Sequence, residues 1–102
     1  MSLRSIYERE IEELKKQILI LERDKADCLE SINKIQKRLD EAIKIALSTS
    51  NGTRRKTKEK LYDDLNKRLS KEKDRVAKIE KNLYERHNSL LEKETKLKKI
   101  SA

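Results

Sequence analysis

No proline, tryptophan or phenylalanine occurs in this chain, and glycine, cysteine and histidine occur once each. Each scarcity excludes something. Without proline, a helix has no covalent reason to stop inside the chain. With Cys28 as the only cysteine, no intrachain disulfide can form and no cysteine-based metal site has its ligands. Gly52 stands alone, so there is no glycine loop to cradle phosphate. Few aromatics and 34% apolar residues over 102 positions leave too little to fill a thick globular core. No apolar run approaches the roughly 20 residues that span a bilayer. Four glutamates, Glu8, Glu10, Glu12 and Glu13, fall where a signal peptide would carry its apolar stretch. The default expectation is a cytoplasmic protein.

What the chain does have is charge, 45% of its residues, set at helix-compatible spacing around apolar stripes. Ile11, Leu14, Ile18, Leu21, Cys28, Ile32, Ile35, Leu39, Ala42 and Ala46 step three or four places at a time, with one break at Lys25. That is the a/d pattern of a coiled-coil helix. A second, less regular stripe holds Leu65, Leu69, Val76, Ile79, Leu83, Leu90 and Leu97. Its gaps are polar, at Glu72, Arg86 and Lys93. A helix with half a seam is expected to lean on the first.

Between the stripes lies Ser48-Thr49-Ser50-Asn51-Gly52-Thr53, without one apolar side chain. Asn-Gly favours positive φ, and serine and threonine compete with helical hydrogen bonding. The expected organisation is a coiled-coil helix over 1–47, a turn over 48–57 and a second helix over 58–102. Thr53 or Thr57 is the candidate N-cap. Folding back at Asn51-Gly52 pairs residues whose numbers sum to about 104, and sets Leu39 by Leu65, Ile35 by Leu69, Cys28 by Val76 and Leu21 by Leu83. The expected fold is therefore all-α, an antiparallel two-helix hairpin. Leu29, Ile43, Ile45 and Leu47 widen the apolar stripe of the first helix. They are expected to form a secondary face through which hairpins join into a four-helix bundle or higher oligomer.

The charges are unevenly shared. Residues 1–47 carry 10 basic and 10 acidic side chains, and residues 48–102 carry 17 and 9, so the whole net charge of +8 lies in the second part. Arg54, Arg55, Lys56, Lys58 and Lys60 form the densest group. Five bases near a turn can attract the phosphates of nucleic acid or an acidic membrane surface. No aromatic is interleaved to stack on bases, so weak polyanion contact is the most this run offers. His87 sits in a polar stretch, remote in register from Cys28. A nucleophile–base pair is not expected, nor is a metal, a cofactor or a small-molecule substrate.

The order of features resembles the N-terminal coiled-coil region of bacterial TIR-domain proteins. The likeness is carried by the opening MSLRSIYEREIEELKKQI, the Ser/Thr-rich break, Thr57-Lys58-Glu59-Lys60-Leu61, and Asp74 to Glu85, DRVAKIEKNLYE. In that family a NAD-cleaving TIR domain follows, and the coiled coil promotes assembly, often in defence against phage or in virulence. Nothing in these 102 residues matches the strands or catalytic glutamate of a TIR domain, and no catalytic residue carries over. The function expected is a non-catalytic oligomerisation or protein-interaction module, assembling with itself. The alternatives are a helical adaptor or secretion chaperone for another helical protein, and a weak nucleic-acid-binding hairpin using the basic second half. The absence of Trp argues against the chaperones that carry a Trp-x-Gly turn.

Overall fold

A computed structural model describes residues 2–48 and 52–101. Two α-helices account for all of these except Ser2: α1, Leu3–Ser48, and α2, Gly52–Ser101. They pack against each other as a hairpin. Ser2 caps α1, its Oγ accepting from the Ser5 amide at 3.1 Å while its carbonyl accepts from the Ile6 amide at 3.2 Å. This is the usual service of a serine at a helix start. At the other end the Ser48 hydroxyl donates to the Ile45 carbonyl at 3.2 Å, which meets one of the orphan acceptors there.

The turn is shorter than the 48–57 expected. Ser48 still belongs to α1, and 52–57 are already helical. Gly52 does not have positive φ. Nothing from Gly52 to Thr57 forbids helix, and each residue added to a growing helix gains one hydrogen bond. Thr57 therefore lies inside α2 rather than capping it. Thr49, Ser50 and Asn51 lie outside the described residues, as do the side chains of Thr53, Arg54 and Arg55.

Two compact units divide the chain. One comprises 1–26 with 78–102, the other 27–77. In the second unit Ile35, Leu39, Leu65 and Leu69 form one buried cluster, with Ile32 and Leu61 packed on it. Leu65, at 1% exposure, is its most enclosed member. Cys28, Ala42 and Val76 are also buried there. Cys28, a small residue at a d position, is core.

In the first unit the buried residues are Ile11, Ile18, Ile79 and Leu83. Leu14, Leu21, Leu90 and Leu97, expected on the same seam, are half-buried. A two-helix seam has no third element to cover its flanks, so its outer edge stays open. Both units keep the expected register: the second brings 35 and 39 against 65 and 69, and the first makes contacts between 10 and 93, 17 and 86, and 25 and 80.

Candidate functional site

The polar gaps of α2 have partners in the first unit. The register sets Lys93 level with Ile11 and Arg86 level with Ile18. Both head groups reach sideways by one residue. The Lys93 ammonium lies 2.6 Å from Glu10 Oε2 and 5.9 Å from the centre of the Tyr7 ring. Arg86 Nε donates to Gln17 Oε1 at 2.8 Å. Long aliphatic stems can thus cover the seam while their charges leave it, which is how a helix with half an apolar stripe still buries Ile11 and Ile18. Lys25, the break in the α1 pattern, likewise reaches Glu80 at 3.5 Å.

The Glu10–Lys93 contact is a half-buried ion pair in which the Glu10 Oε2 atom itself is enclosed, with the Lys93 ammonium against it. Lys93→Met is therefore expected to cost about 1 kcal/mol, more than an exposed pair is worth. Adding Glu10→Gln should recover part of that loss. A double-mutant cycle in urea checks both, and strictly additive effects would refute the coupling.

Three further pairs, Arg4–Glu8, Glu30–Lys34 and Glu92–Lys96, lie four apart on one helix. In the last, the hydrogen bond from Lys96, and then its charge, hold the Glu92 carboxyl below its ordinary 4.5. The same bond and charge raise the Lys96 ammonium above 10.5. The glutamate's share of stability is lost as pH falls through its lowered pKa, and the lysine's as pH rises through its raised one. Both groups face solvent, so the pair adds little.

The four residues expected to share a secondary face do not share one. Ile43 and Leu47 line a groove of about 350 Å³ with Ala42, Tyr62 and the Lys58 stem. Leu29, two heptads before Ile43, lies on the same side. Ile45 falls on the other flank, with Leu61 and Arg38. The reason is angular: positions two apart on a helix are some 200° apart, so 43, 45 and 47 cannot all face one way. Leu29, Ile43, Ile45 and Leu47 are respectively 44%, 40%, 40% and 80% exposed.

The described lysines of the basic run part for the same reason. Lys56 and Lys60 are exposed, whereas Lys58 is half-buried and lines both grooves. Ala42 lines both grooves with it, and Ala46 one of them. Lys58 therefore belongs to the seam, not to a cationic surface with Lys56 and Lys60.

A second cationic group sits elsewhere, and the sequence reading missed it. Lys34, Arg38, Arg68 and Lys71 line one open groove of about 330 Å³, with Glu72 its only acid and Ile35 beneath. Part of its signal was available: in an antiparallel register summing to about 104, Lys34 falls within one residue of the level of Lys71 and Arg38 within two of that of Arg68. Among the described residues no group of three or more His, Cys, Asp and Glu could hold a metal ion, and no helix is long and apolar enough to cross a membrane. His87 is exposed on α2.

The fold and its grooves define a helical hairpin and nothing narrower. Comparison with protein-family models, with curated proteins and with solved structures finds no match.

Proposed function

We propose that this hairpin is a non-catalytic interaction module that joins a second copy of itself, in a coiled-coil arrangement of four helices. The observation that carries the reading is the flank bearing Leu29, Ile43 and Leu47. Ile43 and Leu47 stay 40% and 80% exposed after the two helices have packed, and line a groove with Ala42, Ala46 and Tyr62, to which Lys58, Glu59 and Asp63 also contribute. Leu29, 44% exposed, lies about 21 Å further along the same side. Ile43, Leu47 and Tyr62 are the gathered part of this flank, and apolar side chains gathered at one place on a monomer mark an interaction surface. A second copy carries the same surface, and a two-fold axis is the commonest way of joining identical patches. The opposite flank, with Ile45 and the cations Arg38 and Arg68, is left outside the contact, since like charges would repel there.

The resemblance to the assembly regions of TIR-domain proteins gives this reading one biological setting, resting on the sequence motifs alone. Sedimentation equilibrium at micromolar concentration tests the association itself. The expected mass is at least twice the 12.1 kDa of the chain. Ile43→Lys with Leu47→Lys should return it to one copy with helical circular dichroism retained. A wild-type mass of a single chain across that range would sink the proposal.

A further inference from the structure

We propose that the groove lined by Lys34, Arg38, Arg68 and Lys71 binds a small anion with two or three linked phosphate groups. The first argument is charge. Four cations against Glu72 alone leave the lining at 4 − 1 = +3, and the groove is open to solvent on one side of the seam. The second is contrast. In the first unit the cross-helix polar contacts are complementary: Lys25 with Glu80, Lys93 with Glu10, and Arg86 with Gln17. In this stretch lysine comes near lysine and arginine near arginine across the seam, all four lining one groove. Flanking positions of paired helices ordinarily carry opposite charges, and like charges there cost stability.

The third argument is that these cations have few other uses. Lys34 meets Glu30 of its own helix at 3.3 Å. Arg38, Arg68 and Lys71 make no ion pair with a described residue, Glu72 included. A bound anion would satisfy all of them at once.

The residue types choose the ligand. A guanidinium presents a planar fork of donors that matches two oxygens of a phosphate, and an ammonium serves as a point charge beside it. Two arginines and two lysines around one groove suit a short chain of linked phosphates better than a single carboxylate. The lining has no aromatic side chain on which a base could stack, which disfavours single-stranded nucleic acid. The groove is distinct from the run at Arg54 to Lys60, and lies away from the flank bearing Ile43 and Leu47.

Titration calorimetry of the full chain with tripolyphosphate at low salt is the test, with pyrophosphate and sulfate as comparators. We expect one saturable site per chain, tripolyphosphate and pyrophosphate binding more tightly than sulfate. Arg38→Gln with Arg68→Gln should weaken tripolyphosphate at least about tenfold, through loss of two close charges. Lys98→Gln with Lys99→Gln removes the same charge from the exposed last turn of α2, and should change affinity less than about twofold, as screened distant charges do. Without anion, the double arginine variant should melt no lower than wild type, because a repulsion has been relieved. Equal weakening by both pairs would reduce the effect to diffuse net charge and overturn the site. So would the lack of saturable binding, or duplex DNA binding that tripolyphosphate cannot displace. If the double arginine variant lost its helix, Lys71→Gln alone would decide, by whether it weakens binding more than Lys98→Gln.

Discussion

Leu65→Asp is expected to unfold the hairpin at room temperature, while Tyr84→Asp leaves its stability nearly unchanged. Leu65 is 1% exposed within the cluster of Ile35, Leu39 and Leu69. Removing a buried leucine side chain costs about 2–5 kcal/mol. A carboxylate set in the same place, with no partner among those aliphatic neighbours, adds several more. A domain of this size has roughly 5–15 kcal/mol in all, and a two-helix core falls towards the low end. Tyr84, on the same helix, is 69% exposed, and exposed substitutions fall within about 0.5 kcal/mol. Thermal melts followed by circular dichroism compare the two. Similar midpoints would mean that the cluster around Leu65 does not hold the helices together.

Glu72→Leu is expected to act in the opposite direction. Glu72 stands at a seam position, half-buried and level with Ile32, with no cation among the described residues in salt-bridge range. A leucine there would extend the stripe of Leu65, Leu69 and Val76. Burying about half of a leucine side chain stabilises by roughly 1 kcal/mol, and ending the burial of the carboxylate adds to it. The melting temperature should rise by several degrees. The same change removes the one acid from the cationic groove, so tripolyphosphate should bind more tightly. A polar residue on a seam also restricts register and partner number, so the variant should sediment more heterogeneously than wild type. A lower melting temperature would show that Glu72 is better accommodated than its position implies.

Much of the hairpin was legible in the chain because a helical seam is a periodic object. Ile11, Ile18, Ile35, Leu39, Leu65 and Leu69 recur at the spacing that places them on one stripe, and no proline interrupts either stripe. The pairing sum near 104 followed from the position of the single weak segment, since an antiparallel register is set by where the chain reverses. The turn was less legible. Asn51-Gly52 carries the composition of a loop, but the residues after it have no barrier to helix, and α2 begins at Gly52. Local preference there is worth only tenths of a kcal/mol to about 1 kcal/mol per residue, which helix propagation against a partner outweighs.

The sequence by itself determined which residues lie on the seam, the all-helical class and the antiparallel pairing. The reason is that burial in a two-helix pair depends on position modulo seven. Only the tertiary structure decided what happens beside the seam. Ile43 and Ile45 part to opposite flanks, and Lys58 is half-buried and lines the groove on each. Arg86 and Lys93 turn from apparent defects into partners of Gln17 and Glu10. The convergence of Lys34 and Arg38 with Arg68 and Lys71 lies between the two: the register brings them near one another, and side-chain reach gathers them on one groove. A charged side chain is long and flexible, and its surroundings come from a helix some thirty positions away along the chain. Its role is therefore fixed by register and side-chain reach together, and the residue types alone cannot supply the second.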